Sequence, residues 1–313
     1  MLLRKVGGKR MNAKLSPFVY KIKGKKNYLF FDSLRRIFFH VIPEGDPKEM
    51  EAQLLKNDLL IKTEGVIPLK FIPNIKSYKE NLILRELQIR ITGRCDIGCK
   101  NCGHPGECFR ENKDMTKKDL KNIIKQLKHV VIESIVIVGG NPLLRMDLIE
   151  MIKKGIISSK YKVYLKDAKR FESEAKKLTD MGVSITDSVC EDFLIDEQVM
   201  DVDVFNFFYN QQFNPCWGNK IAIDLQGDLK PCLWSNESIG NVKRDNIKDL
   251  IFSGRFDCFW ELSKDKFEFC KECEYRYLCP DCRVITLKET GSINAKTFYC
   301  PYSPGKGVWG ERV

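Results

Sequence analysis

Residues 87–103 read LQIRITGRCDIGCKNCG, a strand-like run that leads directly into three closely spaced cysteines, Cys95, Cys99 and Cys102, in the pattern CX3CX2C. The pattern around it alternates. Residues 115–130, MTKKDLKNIIKQLKHV, carry helical apolar spacing, and residues 133–140, ESIVIVGG, read as a buried strand. NPLLRMDLIEMIKKG is expected to be helical again, and YKVYLK, DAKRFESEAKKLTDMG, VSITDS and DVFNFF are expected to continue the alternation to residue 208. Successive βα units predict a parallel sheet or partial barrel with helices outside and its reactive end at the strand C-termini. Both the cysteine triplet and the segment Gly139-Gly140-Asn141-Pro142 fall at such ends.

Upstream, FVYKIKGKKNYLFF and IFFHVIPEG read as extended segments broken at Gly24 and ended by Pro43 and Gly45. DPKEMEAQLLKNDLL is predicted to be a helix with Asp46 as N-cap and Pro47 in its first turn. Residues 63–80 read as a linker. Beyond residue 215 the alternation is expected to stop in a cysteine-rich region with short strands, where IAIDLQGDLKPCLW is a hairpin around Gly227 and Asp228. The predicted domains are therefore a small N-terminal β/α domain over 1–80, an α/β partial barrel over 85–212 and a cysteine-rich domain over 213–313.

The chain has 313 residues, 43% of them apolar and 30% charged, an ordinary globular mixture that excludes disorder. No apolar stretch of about 18 residues is present, and MLLRKVGGKR lacks the apolar run of a signal peptide. A cytoplasmic protein without membrane partners is expected. Thirteen cysteines in such a chain point to metal binding rather than disulfides. None precedes Cys95, and eight lie between Cys216 and Cys300. The charge is also uneven, since residues 1–85 hold 18 Lys and Arg against 8 Asp and Glu, within a net +11 for the whole. That bias favours an anionic partner such as an acidic peptide, or a solvated lysine-rich face.

Three thiolates on so short a segment can ligate three irons of a cubane and leave the fourth open. A zinc site completed by His104 is the alternative. CX3CX2C directly after a strand resembles the signature of the radical S-adenosylmethionine (SAM) superfamily, and VGGNP at 138–142 resembles that family's GGEP segment after the second strand, with Asn141 in place of Glu. The resemblance implies that Cys95, Cys99 and Cys102 hold a 4Fe-4S cluster that cleaves SAM to a 5'-deoxyadenosyl radical. It also implies that the backbone at Gly139, Gly140, Asn141 and Pro142 holds the methionine amino group.

Farther along, Cys216, Gly227 and Cys232 give CX10GX4C, and Cys270, Cys273, Cys279 and Cys282 give CX2CX5CX2C, with Cys300 following after seventeen intervening residues. This order is similar to the SPASM auxiliary-cluster domain, although the last CX2C is one residue shorter than the family's usual spacing. The resemblance implies one 4Fe-4S cluster on Cys270, Cys273, Cys279 and Cys300, and a second on Cys216, Cys232 and Cys282 whose fourth ligand is Cys190, Cys258, a non-protein group or substrate. A zinc ribbon of Cys270, Cys273, Cys279 and Cys282 stays open as the alternative.

The combination resembles maturases of ribosomally made peptides, and CEYRYLCPDCR resembles those that join a cysteine sulfur to a carbon. This likeness implies a precursor-peptide partner and a reductant such as flavodoxin or ferredoxin; the N-terminal domain either binds the leader by strand addition or is a family-specific cap on the barrel. Carbon-carbon crosslinking, epimerisation and formylglycine formation remain open, as does a cluster- or zinc-bearing nucleic-acid binder suggested by the basic N-terminal segment.

Overall fold

The lysine- and aromatic-rich run after Pro17 folds as a three-stranded antiparallel meander, because Gly24 and the residues after it turn the chain between alternating apolar segments. The computed structural model describes residues 2–6, 9–42, 47–62, 75, 77–81, 83–96, 111–128, 130–145, 147–148, 158–165, 168–186, 195, 200–201 and 203–310. Strands β1 (Leu2–Val6) and β2 (Lys9–Leu15) precede the meander, which consists of β3 (Val19–Lys23), β4 (Tyr28–Asp32) and β5 (Ile37–Val41). A helix, Pro47–Lys56, follows, and β6 (Leu60–Lys62) pairs with β2 in a second sheet, order β1-β2-β6. The predicted cap Asp46 lies outside the described residues. Val19, Phe30 and Val41 from the meander pack with Leu54 and Leu59 as one apolar cluster, each buried side chain contributing about 1.5–3 kcal/mol.

Two compact units divide the chain, and neither is contiguous in sequence. One holds Met1–Ile75, Phe193–Pro215 and Ser263–Val313; the other holds Lys76–Asp192 and Cys216–Leu262.

The second unit is built on β7 (Ile83–Thr92), β8 (Val131–Gly139), β9 (Ser158–Tyr164), β10 (Val183–Thr186), β11 (Lys220–Ile223), β12 (Asp228–Lys230) and β13 (Gly240–Asn241). They form one sheet in the order β10-β9-β8-β7-β11-β12-β13. Strands β10, β9, β8, β7 and β11 are all parallel, the arrangement expected of a partial (β/α) barrel. Ile135, Val136, Ile137 and Val138 are each at most 5% exposed, so both faces of β8 are covered, as a parallel sheet requires. The helix Lys117–Leu127 starts where Thr116 accepts a hydrogen bond from the Asp119 N–H at 3.0 Å, and it buries Leu120, Ile123 and Leu127.

Three expectations from sequence are corrected or narrowed. DVFNFF continues the alternation as a helix, Val204–Tyr209, which Asp203 caps by accepting from Asn206 N–H at 2.9 Å. Its rings pack against the meander, with Phe207 4.5 Å from Phe31 and Phe208 5.0 Å from Tyr20 between centroids. Tertiary packing of aromatic residues overrides their strand propensity here. The hairpin at Gly227 forms as expected, with Gly227 at φ 87° in its turn. However, its first strand, β11, adds parallel to β7 and so extends the barrel sheet beyond residue 215. In NPLLRMDLIEMIKKG the described helix is a single 3-10 turn, Pro142–Leu144, while residues 149–157 lie outside the described set. Within the expected linker, Ser77–Glu80 forms one helical turn.

The C-terminal segment returns to the first unit with the helix Arg283–Thr290 and a two-stranded ribbon, β14 (Tyr302–Ser303) and β15 (Val308–Trp309). Here the two ends of the chain meet. Asn27 Nδ2 donates to the Gly307 carbonyl at 3.0 Å, Arg276 Nη1 donates to the Lys23 carbonyl at 3.0 Å, and His40 Nε2 lies 2.9 Å from Glu274 Oε1.

Candidate iron-sulfur centres

The end of β7 delivers Cys95 three residues past Thr92, and the end of β8 passes beneath it. Gly140 N–H donates to the Thr92 carbonyl at 3.0 Å and Asn141 N–H to the Arg94 carbonyl at 2.7 Å. A Cβ on Gly139 would stand 2.7 Å from Thr92 Cγ2, and one on Gly140 would stand 2.3 Å from the Arg94 carbonyl oxygen and 2.7 Å from Cys95 Cβ. Neither position has room for a side chain, which is why two glycines end this strand.

Asn141 is fully buried, accepts from Leu143 N–H at 3.1 Å and donates through Nδ2 to Asp96 Oδ1 at 2.7 Å. Arg170, just after β9, donates to the Asp96 carbonyl at 3.2 Å. Residues following three successive strands therefore converge on the position after Cys95. On the other side Arg94 is bound through Nε and Nη2 to Asp114 at 3.0 and 2.7 Å. Burial works to raise the Asp114 carboxyl, but hydrogen bonds from Arg94 and Thr92 hold it below the usual range. Cys99 and Cys102 lie outside the described residues, as do Cys108 and Cys190.

In the first unit, Cys270, Cys273, Cys279 and Cys300 line a common cavity and form no disulfide. Among the described residues no three His, Cys, Asp or Glu side chains converge as the shell of a single metal ion. Four thiols spread around a cavity match the donor set of a 4Fe-4S cluster, which takes one thiolate per iron. Burial pushes the Cys279 thiol up to about 12 while the Lys264 ammonium beside it pulls the other way. Cys273 is raised well above an ordinary thiol, first by burial and then by Cys279. Ligation requires thiolates, so binding a cluster here releases protons.

The remaining predicted ligands fall in both units. Cys216 and Cys232 belong to the second, where Lys220 Nζ lies 3.5 Å from Cys216 Sγ and 3.4 Å from Glu86 Oε1. Cys232 is pushed up to about 12, mainly by burial, with Lys220 lowering it and Cys216 raising it. Cys282 is buried at the N-terminus of the helix Arg283–Thr290 in the first unit. Cys258 is exposed, and its Sγ–H donates to the Arg255 carbonyl at 3.4 Å.

Sequence reading missed Lys264, Lys220, Asp96 and Arg170. Each is a common charged residue without a spacing rule, and only packing singles it out.

Residues 87–191 match a family described as a 4Fe-4S single cluster domain, and residues 216–274 match SPASM, an iron-sulfur cluster-binding domain. A probable GTP 3',8-cyclase of Methanothermobacter marburgensis is 34% identical over 71 residues, covering 23% of this chain and 23% of that protein. The PqqA peptide cyclase of Bradyrhizobium diazoefficiens is 32% identical over 65 residues, 21% of this chain and 17% of that protein. The chain thus spans less than a quarter of the length of these curated relatives. Streptococcus suis SuiB bound to the precursor peptide SuiA is similar with a TM-score of 0.42 and 14% identity, over 91% of this chain and 99% of that one. The chain thus carries a match to a 4Fe-4S single cluster domain over its parallel sheet, followed in sequence by a match to the SPASM iron-sulfur cluster-binding domain.

Proposed function

We propose that the chain is a radical SAM peptide maturase that acts on a ribosomally made precursor peptide and joins a cysteine sulfur of that peptide to a carbon of another residue. The observation that carries this reading is the seat of Cys95 at the C-terminal end of β7, against the bare backbone of Gly140. Cys95, Cys99 and Cys102 would hold the SAM-binding 4Fe-4S cluster, with Gly139, Gly140, Asn141 and Pro142 as the SAM-facing backbone. When bound, that cluster supplies the electron for reductive cleavage of SAM. The chain's own part is to fix the cysteine loop through Asn141, Arg170 and the Arg94–Asp114 pair, and to exclude water from the radical.

Cys270, Cys273, Cys279 and Cys300 would hold an auxiliary 4Fe-4S cluster, and Cys216, Cys232 and Cys282 would serve a second. A peptide substrate is supported by the PqqA peptide cyclase, named for such a substrate, among the relatives. Its leader would add to the edge strand β5, beside a cavity lined by Phe39, Val41, Leu54 and Asn57. The domains would be leader recognition over 1–80, barrel over 85–212 and auxiliary clusters over 213–313, in a cytoplasmic protein reduced by flavodoxin or ferredoxin.

The test is coexpression with a short cysteine-bearing precursor peptide, followed by mass spectrometry with and without thiol alkylation. Loss of two hydrogens together with one alkylatable thiol supports the thioether. Loss of two hydrogens with all thiols retained indicates a carbon-carbon bond, and an unchanged mass indicates epimerisation. Anaerobic protein that binds zinc, or holds iron yet releases no 5'-deoxyadenosine with SAM and reductant, would end the proposal.

A further inference from the structure

Lys264 opens the short turn Lys264–Lys266 ahead of the cysteine quartet, and it is 1% exposed. Its Nζ donates to Cys279 Sγ at 3.1 Å, to the Pro280 carbonyl at 2.9 Å and to Thr297 Oγ1 at 3.4 Å. Those contacts use all three ammonium protons, and none of the acceptors is a carboxylate. The nearby carboxylate, Asp281, is engaged elsewhere. It accepts from Arg283 Nε and Nη2 at 2.9 and 2.6 Å, from Thr297 Oγ1 at 3.2 Å and from Asn214 Nδ2 at 3.1 Å.

A cation taken wholly out of water is strongly unfavourable unless a bonded anion compensates it. Of the three acceptors bonded to Lys264, only the sulfur of Cys279 can become that anion. A metal-bound cysteine is a thiolate, so cluster binding and the burial of Lys264 support each other. Lys296 lines the same cavity but is partly exposed, so solvent screens its charge.

We infer that Lys264 is a positioning residue for the cluster held by Cys270, Cys273, Cys279 and Cys300, raising its reduction potential through the bond to Cys279; this rests on the auxiliary-cluster reading given above. One-electron reduction adds negative charge to the cluster without a proton, and a fixed buried cation stabilises the reduced form more than the oxidised form. The bond also holds the Cys279 side chain toward the cavity.

The experiment is a potentiometric titration of the full-length anaerobic holoprotein with dithionite as electron donor, followed by electron paramagnetic resonance. The signal abolished by C279A identifies the cluster. K264M is expected to move its midpoint to more negative potential, and K296M to move it less. K264Q keeps a hydrogen-bond donor without the charge, so it reads the same negative shift if the methionine variant fails to hold iron. An unchanged midpoint in a K264M or K264Q protein that retains the signal overturns the inference. Wild-type protein whose metal analysis shows zinc and no C279A-sensitive signal overturns the auxiliary-cluster reading itself, and the inference with it.

Discussion

Gly140 lies directly against Cys95: a Cβ on the glycine would stand 2.7 Å from the cysteine Cβ and 2.3 Å from the carbonyl oxygen of Arg94. The end of one strand is thereby the floor under the first cysteine of the neighbouring strand's loop. Gly140→Ala is expected to push the loop outward, at about 1–3 kcal/mol for an overpacked contact. Iron retained per chain after anaerobic reconstitution should fall, and 5'-deoxyadenosine formation with it. A variant with full iron content and full SAM cleavage would show that the loop tolerates displacement.

Asn141 donates to Asp96, and a glutamate or aspartate at 141 could not. Asn141→Asp would set two carboxylates against each other at a fully buried position, with an expected loss of about 1–3 kcal/mol. Adding Asp96→Asn restores a donor and an acceptor across the contact. The double variant should therefore unfold at higher temperature than Asn141→Asp alone, and calorimetry on the three proteins decides whether the bond is real.

Arg283 and Asp281 form an ion pair at 2.6 Å with both side chains fully buried, and the guanidinium sits 4.2 Å above the Phe267 ring. Arg283→Met strands the carboxylate, an effect of about 3–5 kcal/mol. Replacing both partners by apolar residues should be milder than the single change. Denaturant midpoints of the metal-free proteins measure the difference, and a double variant whose loss equals the sum of the two single losses would mean the pair is not coupled.

Acid should destabilise both units. Burial raises the Glu274 carboxyl, but hydrogen bonds from His40 and Tyr302 overcome this and hold it below its ordinary 4.5. Asp147, bonded to Arg145, and Asp114, bonded to Arg94, are held below 3.8. Because the folded values lie below the unfolded ones, their stabilisation is fully present above about pH 5 and is lost as pH falls through the folded values. Thermal unfolding should be insensitive to these groups near neutrality and drop steeply below about pH 4. Glu274→Gln should flatten part of that drop, and an unchanged acid limb would exclude Glu274 as a contributor.

Local pattern alone was enough to reveal the parallel sheet, the Gly227 hairpin and the two cysteine regions. Strand and helix periodicities are properties of neighbouring residues, and cysteine spacing reflects the short reach of a chain wrapped round one cluster. Cys95 and the quartet ending at Cys300 stood out as candidate ligands for that reason. The form of Val204–Tyr209 was less legible, because its aromatic residues favour strand locally while the Asp203 cap and contact with Tyr20 and Phe31 accompany a helix.

Other features depend on contacts between residues far apart in sequence, which no local signal encodes. The parallel pairing of β11 with β7 joins residues more than a hundred positions apart, such as Ile221 and Leu87. The N-terminal meander and the final cysteines share one unit because Asn27, His40 and Lys23 bond to Gly307, Glu274 and Arg276. Lys264 looks like any other lysine among 53 Lys and Arg until packing removes it from water and sets its Nζ 3.1 Å from Cys279 Sγ. Burial and long-range pairing are set by the whole chain at once, and that is why they appear only in the folded structure.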